Sequence, residues 1–477
     1  MEHHLTLHRR GLLAAASLAI PTAALAQATG PIRFKGFRGQ EVDAERGFFE
    51  VPEDRRDLGS RRIRLSYVRF RSTAASPGPP IIYLAGGPGG TATGTATGPR
   101  FPIFMALREV SDVIAFDQRG TGLSNHIPPR PSPSGPPPPL TRAGLTTHFR
   151  TELERAWADW TRAGVAMRGY NTNESADDVD DLRQHLGAQQ IHLWGISYGS
   201  HLGLAILKRH SAKVDRVVLA SLEGQDQTVK RPGRSDQYLR RVDRLMGADP
   251  EVRRAVPDLL ALMRRVHTRL EAEPVHMTLQ RPSGPIDLQV GGFAVQLLSG
   301  GAVANPQGVG GLPRLYLALE AGKTQVLAAL LPQMVGQLGL SGMPEAMDLA
   351  SGISRRRLTL VEREAKMAVF GDALNFPMPH LLGLIPGVDL GAGFRASFRI
   401  PNPSLLVAGS LDGRTVLEEQ AEVAAQFTNK TQVLVENAGH NVFESHPQVQ
   451  DMIVRFFKGE AVANATLRLP PPKFQIA

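Results

Sequence analysis

The stretch that decides the fold is "QIHLWGISYGSHLGLAILKRH", residues 190–210. "QIHLW" is a short apolar run of the kind that forms a buried strand, "GISYG" is a tight turn, and "SHLGLAILKRH" reads as a helix. Strand, sharp turn and helix in that order present a nucleophilic serine, here Ser197. Bulk at Gly195 or Gly199 would clash with the adjacent strand or helix. The helix N-terminus behind the turn supplies free amides and a positive dipole end for developing negative charge. In a chain with 48 glycines among 477 residues the five-residue motif alone is weak, so its meaning rests on its surroundings.

Working outward, "RRIRLSYVRFRS" (61–72) alternates like a strand with one solvated face, while "PPIIYLAGG", "SDVIAFDQRG" and "DRVVLAS" read as buried strands. Helical stretches such as "FPIFMALREV", "THFRTELERAWADWTRAG" and "ESADDVDDLRQHLG" separate them. The alternation predicts a mostly parallel sheet with helices on both faces. From 226 to 395 the pattern is helical, with no convincing run of buried strands, and strand–helix alternation resumes at "NPSLLVAGS". The economical reading is one α/β domain, residues 27–225 and 396–477, interrupted by a helical cap at 226–395. Three consecutive domains would leave the last with too few strands for a sheet of its own. "IPPRPSPSGPPPPLTRAG" (127–144) reads as a stiff surface loop within the first part.

Composition narrows the chemistry. There is no cysteine, which excludes disulfides, thiolate metal sites and a cysteine nucleophile. No metal-ligand spacing, phosphate loop or dinucleotide fingerprint occurs, so neither metal nor cofactor is expected. The net charge of +9 is read as a solvated basic surface and not as a nucleic-acid footprint. The first 26 residues carry Arg9-Arg10, an alanine-rich apolar run and an A-x-A site at Ala24-Leu25-Ala26. They are expected to be a cleaved export signal of the twin-arginine kind, giving a periplasmic or secreted protein without stable membrane association. An ordinary secretory signal and a retained anchor are the alternatives.

A serine hydroxyl needs a base, and the base needs an orienting acid. "LLVAGSLDGRT" places Asp412 just past a late strand, and "VLVENAGHN" places His440 just past the next. Both fall on the strand edge where ligands gather in open α/β sheets. Glu436 and Glu444 compete with Asp412 as the acid. Two amide donors are needed for an oxyanion: the backbone of Tyr198 and, from "AGGPGG", that of Gly87, with Gly86 as the alternative.

These residues resemble the prolyl aminopeptidase and tripeptidyl aminopeptidase branch of the α/β hydrolases. The resemblance rests on "GGPGG" at 86–90, "DQRGTGLS" at 117–124, the elbow "GISYG" and the order Ser197, Asp412, His440. It implies a serine hydrolase that removes residues from peptide N-termini through an acyl-enzyme, with Asp117 and Arg119 bracing a loop. The substrate is then a peptide, or, with the same triad, a small ester or amide. A non-catalytic binding protein on the same scaffold is the reading from a different class. The chain departs from the branch at Ala85, where prolyl aminopeptidases carry histidine, at Thr415-Val416, where tripeptidyl relatives carry Thr-Pro, and in its arginine-rich, cysteine-free cap. An aminopeptidase also needs an acceptor for the substrate ammonium, for which Glu223 is the candidate.

Overall fold

The computed structural model describes residues 29–130, 135–281, 284–336 and 338–476; the expected export signal lies outside them. Ten strands form one sheet: β1 (Gly30–Lys35), β2 (Glu41–Pro52), β3 (Arg62–Phe70), β4 (Ile81–Leu84), β5 (Val113–Phe116), β6 (Ile191–Ile196), β7 (Val214–Ala220), β10 (Ser404–Gly409), β11 (Lys430–Glu436) and β12 (Ala465–Arg468). Their spatial order is β1-β2-β3-β5-β4-β6-β7-β10-β11-β12. The β1–β2, β2–β3 and β3–β5 pairs are antiparallel, and every pair from β5–β4 to β11–β12 is parallel.

The period-2 geometry of strands sorts their side chains into two cores. Leu193 of β6 and Val217 of β7 share a core with Leu202 of the helix Tyr198–His210 and with Leu182. Trp194 and Val218 face the opposite way, against Phe104, Ile453 and Phe457 of the helices Phe101–Leu107 and Pro447–Phe457. Strands covered on both faces have no solvated side, which is why β4, β5 and β6 read as unbroken apolar runs.

Between β7 and β10 the chain builds a helical layer with its own core, centred on Tyr238, Met263, Phe293 and Tyr316. Leu145, Phe149 and Leu153 of the helix Arg142–Arg162 join that core from outside the insertion. The layer also contains an antiparallel hairpin, β8 (Val275–Leu279) and β9 (Ile286–Val290). The sequence shows no convincing run of buried strands here, and neither strand of this hairpin is buried throughout. Both are short and alternate between covered and open positions, so they carry no buried apolar run to mark them. The edge strands β1 and β12 alternate in the same way, and β2, although paired on both sides, is open or half-open at most of its positions.

Candidate active site

Ser197 joins β6 to the helix Tyr198–His210 with φ 57° and ψ −129°, a conformation that a residue with a side chain adopts only when its surroundings enforce it. Its N–H donates to Ala220 O of β7 at 3.1 Å, which pins the turn to the next strand. The enforcement also comes from below. A Cβ on Gly199 would overlap Leu84 O of β4, so the helix seats against the sheet only with glycine there. The turn therefore lifts Ser197 above the carboxyl ends of the strands.

Asp412 follows β10 and His440 follows β11, as the strand-end reading expects. His440 Nδ1 lies 2.9 Å from Asp412 Oδ2 and 3.0 Å from Oδ1. Asp412 is fully buried and further receives Thr415 Oγ1 at 2.6 Å and the N–H groups of Thr415 and Arg414, each at 2.9 Å. Burial opposes its ionisation, but the His440 charge and the Thr415 hydrogen bonds outweigh burial and hold the carboxyl below the usual range. The competing acids are engaged elsewhere, Glu444 by Arg100 at 2.6 Å and Glu436 by Arg468 at 3.0 Å.

The "GGPGG" loop faces the elbow. A Cβ on Gly86 would stand 3.2 Å from Ser197 Cβ, and Gly87 has φ +123°, open to glycine and costly for any other residue. Tyr198 opens the helix behind Ser197, and its side chain is buried, with its hydroxyl 3.2 Å from Thr172 Oγ1. Gly86, Gly87, Ser197 and His440 line a single cavity of about 600 Å³.

The other motif residues, Asp117 and Arg119, do not line this cavity. Asp117 accepts Thr93 N–H at 3.0 Å, Thr93 Oγ1–H at 2.8 Å and Leu123 N–H at 3.3 Å. Arg119 is wholly buried, grips Asp178 through two bonds of 2.7 Å, and donates to the carbonyls of Glu53 and Gly169 at 2.6 Å. Both side chains are consumed in fastening loops together.

The insertion supplies the far wall. Its helix Met343–Ser351 rests on the glycine-rich loop, where a Cβ on Gly89 would stand 2.7 Å from Pro344 Cγ, and it carries Asp348 into the cavity. Glu223 is also on the wall, but its carboxylate is paired with Lys230 Nζ at 2.9 Å. Burial disfavours the Glu223 charge, and Lys230 and His201 overcome it, leaving the carboxyl below its ordinary range. Asp348 behaves oppositely: burial and the nearby Glu223 charge push it up to about 7. Asp348, Lys230 and Arg414 were missed in the sequence. Asp348 and Lys230 sit in helical or loop segments of the insertion with no motif around them, and only proximity to the strand-end Asp412 could have drawn attention to Arg414.

The insertion also touches His440 directly. His440 N–H donates to Ala304 O at 2.7 Å and Gly413 N–H to Val303 O at 3.0 Å, so one cap segment is stitched to both late loops.

Comparison with known proteins agrees with this architecture. Residues 79–301 match a family described as "alpha/beta hydrolase fold", and residues 394–465 match a "TAP-like protein" family. The chain has the α/β-hydrolase fold. The chain is 28% identical over 192 residues to a tripeptidyl aminopeptidase of Streptomyces lividans, a match covering 37% of this chain and 35% of the relative. It is 28% identical over 159 residues to a protein described as a probable proline iminopeptidase of Streptomyces coelicolor, covering 32% of this chain and 36% of the relative. The matches thus span about a third of the curated relatives' length. Among solved structures, a proline iminopeptidase of Mycobacterium smegmatis is 15% identical with a TM-score of 0.44, covering 87% of this chain and 98% of that one. No helix among the described residues is long and apolar enough to cross a membrane.

Proposed function

We propose that the chain is an exported serine hydrolase acting as an aminopeptidase of the prolyl or tripeptidyl type, with Ser197, His440 and Asp412 as its triad. Ser197 Oγ attacks the carbonyl carbon of the bond to be cleaved while His440 Nε2 takes the hydroxyl proton. Asp412 holds the Nδ1–H side of the ring and stabilises the imidazolium. The N–H groups of Gly87 and Tyr198 receive the oxyanion. Collapse of the tetrahedral adduct expels the amine, which leaves with the proton from His440, and a water molecule repeats the sequence on the acyl-enzyme.

The observation that carries this reading is the His440–Asp412 pair at 2.9 Å, with His440 lining the cavity that Ser197 also lines. The aminopeptidase specificity draws on the relatives' names and on the carboxyl groups of Glu223 and Asp348, which line the same cavity as Ser197. Export draws on the first 26 residues of the sequence, and replacing Arg9-Arg10 by lysines would retain the protein in the cytoplasm if the twin-arginine route is used.

One observation favours a second reading, hydrolysis of small esters or amides by the same triad: Glu223 is already paired with Lys230, so its charge is not free for an ammonium. Turnover of aminoacyl and tripeptidyl anilides against nitrophenyl esters decides between them. Ester cleavage without anilide cleavage across N-terminal residues would remove the aminopeptidase reading. Failure of Ser197 to label with a fluorophosphonate would remove both.

A further inference from the structure

Most charged groups around the cavity neutralise one another. Arg100 pairs with Glu444 at 2.6 Å, Lys230 with Glu223 at 2.9 Å and His440 with Asp412 at 2.9 Å. Two remain, one of each sign. Asp348 has no ion-pair partner within 4.0 Å among the described residues, and neither has Arg414. They sense each other's charge across the cavity without touching. The Arg414 guanidinium makes one long hydrogen bond among the described residues, 3.5 Å to Leu374 O, leaving most of its donor fork open.

The stem of Arg414 is fixed. Its own N–H donates to Asp412 Oδ1 at 2.9 Å, and the N–H of the preceding Gly413 donates to Val303 O at 3.0 Å. Apolar groups share the wall with it, including Leu374, Phe376 and Met378. A planar cation held there attracts a planar anion more strongly than it would in water. The neighbouring Asp348 and Glu223 weigh against a dianion such as phosphate and leave a monoanionic carboxylate as the fitting partner.

We propose that Arg414 is a specificity-determining residue that receives a carboxylate of the substrate, so that the site selects short zwitterionic peptides and other carboxylate-bearing acyl compounds over neutral ones. The proposal rests on the hydrolase reading of Ser197 and extends it. A carboxyl and a guanidinium that line one cavity, each without an ion-pair partner among the described residues, are complementary to the two ends of a short peptide.

The test compares the nitrophenyl monoester of glutaric acid with the nitrophenyl ester of valeric acid, which lacks the carboxylate. The wild-type kcat/KM should favour the anionic ester by roughly tenfold to a hundredfold, the value of a charge-assisted hydrogen-bonded pair. Arg414→Gln should bring the ratio to about one, and Arg414→Lys should restore part of it, because the charge returns without the fork. A wild-type ratio at or below one, or a ratio that Arg414→Gln leaves in place, overturns the proposal. Calorimetric titration with glutarate against glutaramide reads the same preference without turnover. If neither ester is cleaved, a glutarate preference lost in Arg414→Gln supports the Arg414 site while the hydrolase reading fails. Equal binding of the two overturns the Arg414 site on its own. Two peptide pairs locate the carboxylate: Ala-Ala-Ala as free acid against its amide, and Ala-Glu-Ala amide against Ala-Gln-Ala amide. Preference for the charged member of the first pair assigns a C-terminal carboxylate, and of the second an acidic side chain.

Discussion

At the carboxyl edge of the sheet the site is made by backbone, and in the cap wall it is made by side-chain charge. Ser197 is held at φ 57° by a strand, a helix and the absence of a Cβ at Gly199. Gly87 is chosen for its φ of +123°. Around the rest of the cavity, Lys230 and Asp348 of the insertion, with Glu223 and Arg414 of the loops after β7 and β10, act through charge and its neutralisation, and any backbone that carried them there would serve. The difference teaches where each kind of change will be felt. Alterations on the sheet side should abolish chemistry or folding, whereas alterations on the cap side should redistribute substrates and shift the pH response.

The largest effect belongs to the sheet side. Ser197→Ala should lower kcat by about 10⁴-fold or more with the thermal melt retained, since the hydroxyl is removed and the fold is not. Steady-state turnover beside a circular-dichroism melt checks it, and retained turnover would move the nucleophile elsewhere. Gly199→Ala comes next. Its new Cβ would overlap a carbonyl in the middle of the sheet, so a loss of roughly 2–4 kcal/mol in a urea titration, or failure to accumulate soluble protein, is expected.

On the cap side, Asp348→Asn should act through pH. Below about 7 the Asp348 carboxyl is protonated, and as pH rises through that value it gains the charge that attracts an ammonium. The kcat/KM ratio of a free aminoacyl anilide to its N-acetyl form should therefore climb between pH 5.5 and 7.5, about the window below α-amino titration, and be flat in Asp348→Asn. Using the ratio cancels the titration of the triad. Stability follows the opposite sign. Because the folded pKa is raised above the unfolded one, the contribution of Asp348 is complete below about pH 4 and is lost as pH rises through about 7. Asp348→Asn should thus raise Tm at pH 8 and leave it nearly unchanged at pH 4.

The smallest effect sharpens the contrast between crowded and open glycines. Gly311 lies inside the cap helix Pro306–Glu320, and an added Cβ there meets nothing within 4 Å. Gly311→Ala should stabilise by about 0.5–1 kcal/mol through helix propensity alone. Destabilisation would mean that this part of the cap is more tightly packed than it looks.

Much of the sheet was legible in the sequence because its central strands are buried on both faces and advertise themselves as apolar runs ending in glycine-rich turns. Ser197, Asp412 and His440 were legible because each sits at such an end, where chain order limits the choices. The hairpin strands β8 and β9 and the strands β1, β2 and β12 were not, since strands with few fully covered positions look like polar chain. Nor was the helix Arg142–Arg162 readable as a contributor to the cap core, because its partners lie about a hundred residues away or more.

Local pattern by itself determined the elbow, the order of the catalytic candidates and the alternation that makes a parallel sheet, because these depend on neighbours in the chain. Tertiary structure alone decided that Asp412 and not Glu436 or Glu444 faces His440, that Glu223 is neutralised by Lys230, and that Asp348 and Arg414 share one cavity. The physical reason is that charge acts through space. Which charges meet is fixed only when segments distant in sequence are packed against each other.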